Sequence, residues 1–367
     1  LKAEVERIDC LAKAGFLPNE ECLEELDRLK SEARDSKLWG PFTRALDVEI
    51  HHLDRGGHSD AVESVLIEAK DCSTQGGPEA QCRACAILAL NLYYGSPETG
   101  LIAAKEAVRL SMGTEDSDLQ LHALNRLIVV LLYKGRLNTP EGITTFKQAT
   151  PRVEKSGDLI LRFFIKLNRA VWHLEAGEFE KALVAFKEVE PVIKGTKATD
   201  AHAMLFLNEG ELALATHELE EAHQAYSRAE GFLHPTSPVA FRTIINAGLG
   251  LCALSAGVLD EARNREMELA GLPKHWTFDP SVVATFKARM LKRRGEPAEA
   301  LQLLQDVMEN VEGRFVTAWI KLSLETARLL RGESRNVVAE VLTEPLRVSQ
   351  YLGLEERVNQ IERLLET

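Results

Sequence analysis

The chain has 367 residues, 45% hydrophobic and 27% charged, a balance that excludes disorder as the default state. Asp and Glu outnumber Lys and Arg, 56 to 44, and the formal charge of −12 repels phosphate backbones over most of the surface, so no direct nucleic-acid partner is expected. No run approaches the about 18 consecutive apolar residues that mark a membrane helix, and the opening Leu1-Lys2-Ala3-Glu4 lacks the order of a signal peptide. Six cysteines are too sparse for a disulfide scaffold, and a cytoplasmic location is expected.

In chain order, helical hairpins are expected over about 1–35, 37–72, 78–112, 116–156, 158–195, 199–232, 237–271, 279–312 and 314–348, followed by a last helix over 353–366. One phrase marks their turns: a small residue, a spacer, often an apolar residue, then Ala about five positions on. It is clearest in Gly177-Glu178-Phe179-Glu180-Lys181-Ala182 with Phe186, and again in His217-Glu218-Leu219-Glu220-Glu221-Ala222 with Tyr226. Relatives begin at Gly257 and Gly295, and looser copies at Gly15, Gly56, Gly95, Gly135 and Gly332. Successive copies lie 41, 39, 40, 42, 40, 40, 38 and 37 residues apart.

The residue types explain the phrase. Gly leaves the first helix through a left-handed cap, which costs a residue with a Cβ more. Acidic residues then open the second helix, where the macrodipole favours them. Ala182, Ala222, Ala262 and Ala300 let two helices cross closely, and Phe186 or Tyr226 fills the adjacent gap. Breakers such as Gly76-Gly77-Pro78, Gly113-Thr114, Gly195-Thr196 and His234-Pro235-Thr236-Ser237-Pro238 serve as connectors. Asn138-Thr139-Pro140-Glu141-Gly142 falls inside a hairpin and should lengthen its turn or delay its second helix. No hairpin has core enough to stand alone, so each leans on the next and the stack is expected to grow in one dimension.

Gly177, Phe179, Ala182 and Phe186 resemble the tetratricopeptide consensus, and Gly210 and Gly250 match its small residue in the first helix. The resemblance covers nearly the whole chain and implies an all-α fold, a right-handed α-α superhelix of about nine helical hairpins. The family consensus has 34 residues per repeat. The length of about 40 here is similar to the superhelical sensor region of MalT-like (LuxR-type) regulators and related signal-transduction ATPases, in which the array senses an inducer or partner. Peptide-pheromone receptors and eukaryotic scaffolds share the same repeat style.

In such superhelices the first helix of each hairpin lines the concave face, and there an amide recurs: Asn125, Asn168, Asn208 and Asn246, at intervals of 43, 40 and 38 residues. Each offers a donor and an acceptor to an extended peptide; equally, each could satisfy a neighbouring helix. Arg162, Lys166, Arg169 and His173 fall on one stripe of one helix, and Arg126 is equivalent to Arg169. The stripe is either a dock for an acidic ligand or a solvated face. Lys287, Arg289, Lys292, Arg293 and Arg294 form the densest basic patch, but Lys292 to Arg294 directly precede Gly295, where cations offset a helix C-terminus without any ligand.

Cys82-Arg83-Ala84-Cys85 lacks a second pair of ligands and reads as compact core residues. His51 and His52 point about 100° apart on a helix, a poor chelate with or without His58. Neither a metal nor any other cofactor is expected. No phosphate-binding loop, H-E-x-x-H or nucleophile elbow is present, so the chain is not expected to be an enzyme.

The expected role is a non-catalytic sensor of a larger cytoplasmic signalling or transcription-regulating protein, binding a peptide, a protein or a small inducer. A Leu at position 1 and charged helices at both ends suggest a segment fused to an absent effector domain. The alternatives are a constitutive protein–protein interaction scaffold and the substrate-recruitment region of a multidomain protease or cyclase.

Overall fold

The computed structural model describes residues 1–13, 17–56, 58–235, 237–272, 279–330 and 335–366. Within them the chain forms helices and no strand. The first pairs are α1 (Lys2–Lys13) with α2 (Asn19–Asp35), and α3 (Trp39–Gly56) with α4 (Ser59–Cys72). Next come α5 (Pro78–Leu88), a single turn α6 (Asn91–Tyr94) and α7 (Pro97–Ser111), then α8 (Ser117–Tyr133) with α9 (Pro140–Val153). The series continues with α10 (Leu159–Ala176) and α11 (Phe179–Ile193), α12 (Thr199–Ala215) and α13 (Leu219–Gly231), and α14 (Val239–Ser255) and α15 (Leu259–Gly271). It ends with α16 (Pro280–Arg294) and α17 (Pro297–Val311), α18 (Val316–Leu329) and α19 (Arg335–Tyr351), and α20 (Glu355–Glu366).

Local chemistry sets the helix ends. Gly177 and Gly295 close α10 and α16 at φ 82° and 85°, and their N–H groups bond back to the last turn of each helix. His217 takes the equivalent left-handed place at φ 65°, although it bears a Cβ. Gly95 departs from the expected pattern: its φ is −142°, because the broken first helix α5–α6 delivers the chain to Ser96, whose side chain caps α7. Gly56 ends α3, and Gly15 and Gly332 lie outside the described residues. Asp116 and Asp158 accept the first free N–H groups of α8 and α10.

Ala182, Ala222, Ala262 and Ala300 are fully buried where the helices of a hairpin cross. Consecutive first helices run side by side, as α8, α10, α12, α14, α16 and α18 do, while the second helices are spread apart. The first helices therefore form the inner wall and the second helices the outer one.

The stack does not stay one-dimensional. α3 of the second hairpin meets α14 of the seventh, α8 of the fourth meets α18 of the ninth, and α10 of the fifth meets α20. The superhelix thus comes back on itself after five hairpins. Arg314 donates to the carbonyls of Tyr93 and Gly95, both at 2.9 Å, and Asn138 Nδ2 donates to the Gly353 carbonyl at 3.1 Å. Arg357 of α20 donates to the carbonyls of Glu175 and Leu174 at 2.9 and 3.1 Å. One apolar core joins Leu124, Ile128 and Leu131 of α8 to Phe315, Leu322 and Ile361. The expectation of units touching only their neighbours is corrected here: the twist accumulated over five hairpins brings carbonyls at turns and at the end of α10 within reach of Arg314 and Arg357, which the repeat phrase does not contain.

Candidate functional site

The inner wall carries two polar clusters. The first surrounds Asp47 of α3, a buried carboxylate. Arg44 reaches its Oδ2 at 3.0 Å, Arg126 of α8 approaches its Oδ1 at 3.5 Å, and the His51 imidazole donates to its backbone carbonyl at 2.6 Å. Burial alone would raise this carboxyl, but its electrostatic interactions with His122, His51, Arg126 and Arg44 hold it well below the usual carboxylate range. His122 of α8 is pushed down to about 3 by burial, with Arg126 and Arg83 adding to the effect against the opposing Asp47. The imidazole is therefore neutral at pH 7, and the two arginines carry the compensation.

The amide ladder beside this cluster does not form four equivalent rungs. Asn168 Nδ2 donates to Asn125 Oδ1 at 2.9 Å across α10 and α8. Asn208 donates to the Met204 carbonyl of its own helix at 2.7 Å, and Asn246 accepts from Arg265 at 2.9 Å. Every rung has a partner within the chain. Along the cationic stripe, Lys166 lies 3.6 Å from Glu154 and His173 donates to Glu178 at 2.6 Å, while Arg169 is exposed. Arg126 and Arg162 each keep a buried Nε–H with no acceptor among the described residues.

The basic patch is partly spent on ion pairs. Arg289 forks onto Glu325 at 2.7 and 2.8 Å, and Arg294 onto Glu266 at 3.0 and 3.1 Å. Lys287, Lys292 and Arg293 are exposed, the last two beside an open groove of about 690 Å³ lined also by Leu254, Ser255 and Gly257. Cys82 and Cys85 are buried free thiols, pushed up to about 12 and about 11 by burial, so neither offers a ready thiolate. His52 turns inward to Asn19 and Asp9, while His51 bonds Asp47 and His58 is exposed.

The second cluster is one that sequence reasoning missed. Glu175 lies in the last turn of α10, Glu211 lies near the end of α12 and Asp279 caps α16, and one carboxylate oxygen of each lies within 4.8 Å of the others. Lys321 of α18 pairs with Glu175 at 2.8 Å and also with Asp279. No spacing rule reaches these residues, because they sit at unrelated repeat positions among 56 acidic side chains. The one available signal was a lysine on the apolar face of α18, between Ile320 and Leu322.

Among solved structures, the chain is similar to a Rap protein complexed with Competence and Sporulation Factor, at 13% identity and a TM-score of 0.66, covering 96% of this chain and 98% of that one. It is also similar to a human IFIT1 dimer with m7Gppp-AAAA, at 14% identity and a TM-score of 0.52, covering 96% and 79%. The fold is a tetratricopeptide-like solenoid. No family model matches the chain, and no curated protein matches it in sequence. Identities this low carry the architecture alone.

Proposed function

We propose that this solenoid is a non-catalytic binding module whose inner wall takes an acidic segment of a protein or peptide partner, in the manner of a sensor within a signalling or transcription-regulating system. The observation that carries this reading is the pair of unsatisfied, buried guanidinium Nε–H groups of Arg126 and Arg162, on adjacent first helices. A buried donor without an acceptor costs about 1–3 kcal/mol, which a carboxylate ligand would relieve with a charge-assisted bond. Lys166 and Arg169 extend the same sign along α10, although the whole chain is acidic. An anionic ligand is thus repelled from the outside and attracted at this stretch of the wall. The two similar structures were each solved with a bound molecule, which agrees with a binding role for the architecture.

The test is a peptide array read by fluorescence polarisation, with acidic, neutral and basic extended peptides and a short single-stranded RNA as probes. Acidic peptides should bind best, and Arg126→Gln with Arg162→Gln should weaken them by about tenfold or more, the worth of one lost charge-assisted bond. Preference for neutral or basic peptides, tighter binding of the RNA, or indifference to the double substitution would each defeat the proposal.

A further inference from the structure

The geometry points to a divalent-cation site on the inner wall, formed by Glu175 of α10, Glu211 of α12 and Asp279 at the start of α16, with the Tyr226 hydroxyl at its edge. Three buried or half-buried carboxylates do not gather without compensation, because each charge taken from water is costly. Lys321 supplies only part of it. Its ammonium serves Glu175 Oε1 and Asp279 Oδ2, while Asp279 Oδ1 is engaged by the N–H of Ser281 at 2.8 Å and by its hydroxyl. Glu175 Oε2 is left buried with no donor, and Glu211 has neither a hydrogen bond nor an ion pair among the described residues.

Tyr226 is the independent pointer to a missing occupant. It arises on α13, outside the cluster, and its ring passes between Gly210 of α12 and Gly248 of α14 so that the phenol end reaches the inner wall. Its hydroxyl is wholly buried and has no partner. There it feels the charges of Glu211 and Asp279. A phenol placed so could have been a phenylalanine at no cost to packing; the hydroxyl has a use if it bonds to a water coordinated by a cation.

Burial pushes the Glu211 carboxyl up to about 8, so a bound ion displaces its proton; the three carboxylates and one ammonium then sum to −2, which a divalent ion neutralises. The donors are all oxygen, so the ion is a hard one such as Mn²⁺, Ca²⁺ or Mg²⁺ rather than Zn²⁺. Lys321 stays in place as the group that orients Glu175 and Asp279. The ion would tie α10, α12 and α16 together beside α18, and so fix the pitch at which the superhelix closes.

The experiment titrates the whole, chelator-treated chain with Mn²⁺ followed by electron paramagnetic resonance, with thermal melts in Mn²⁺, Ca²⁺, Mg²⁺ and Zn²⁺. One Mn²⁺ should bind per chain and raise the melting temperature. Glu211→Gln, which keeps the shape of a side chain that burial disfavours as a charge and should fold as well, is expected to abolish that rise. Tyr226→Phe keeps the packing and should weaken Mn²⁺ by about tenfold, as loss of an outer hydrogen bond does; it decides the matter if the first variant fails to fold. No Mn²⁺ binding at millimolar concentration, a preference for Zn²⁺, or unchanged affinity in either folded variant would overturn the assignment.

Discussion

Tyr226 lies against the α-carbon of Gly210, so closely that a Cβ there would stand 2.9 Å from the ring, and still closer against Gly248. One side chain of an outer helix thereby sets the spacing between two inner ones. Gly248→Ala should force the ring or α14 to move and destabilise the fold by about 1–3 kcal/mol, the usual cost of overpacking. Gly231, whose Cβ position is open, is the control: Gly231→Ala should be neutral or slightly stabilising. Urea unfolding of both variants gives the comparison, and equal midpoints would contradict it.

The hairpins were legible because their determinants are local and repeated. Gly177, Ala182 and Phe186 recur at one interval, and each acts on residues within a turn or two of helix. The placement of Asn125 beside Asn168 was legible for the same reason, since equivalent positions in adjacent repeats must be neighbours. Closure was not. Arg357 and Glu175 are 182 residues apart, and their meeting depends on small rotations summed over five hairpins, which no single repeat displays. Asp47, Glu211 and Lys321 occur at positions with no counterpart in other repeats, so periodicity passes over them.

Closure rests on the fit of Arg357 to the carbonyls at the end of α10, with the guanidinium also 5.9 Å from the centre of the Phe179 ring. Arg357→Ala should strand the Glu175 carbonyl, since that of Leu174 still accepts from the Gly177 N–H, and cost about 1–3 kcal/mol. Arg357→Lys should recover little, since one ammonium cannot reproduce the planar fork. Hydrogen exchange should quicken in α20 and in the last turn of α10, and remain unchanged in α1 and α2. Uniform quickening along the chain would mean that the end helix is no separate clasp.

The Asn125–Asn168 bond can be separated from any ligand role by a double-mutant cycle. Asn168→Leu leaves Asn125 Oδ1 without this donor and should cost about 1–2 kcal/mol, and the coupling between the two sites should be about 0.5–1.5 kcal/mol. Asn208→Leu removes only a bond to its own helix and should cost less than about 1 kcal/mol. Zero coupling in thermal or urea melts would show that the two amides are independent.

His122 makes stability depend on pH in a direction its surroundings dictate. Burial, with Arg126 and Arg83, lowers its folded-state pKa to about 3, against 6.5 for the free imidazole, so between those values the unfolded chain holds the extra proton. The contribution of this group to stability should therefore fall as pH drops below 6.5, by at most about 1.4 kcal/mol per unit, and by less to the extent that water reaches the ring. The Asp47 carboxyl, held low in the fold, adds its own loss only below its ordinary value of 3.8, whereas Glu209 and Glu211, pushed up by burial to about 7 and about 8, add stability as pH falls through the same interval, so the imidazole is read from the difference between parent and variant. His122→Gln should make the unfolding free energy fall less between pH 6.5 and 4.5 than it does in the parent, while the Glu209 and Glu211 contributions stay in both. The same slope in parent and variant would show that the imidazole titrates alike in the folded and unfolded chains.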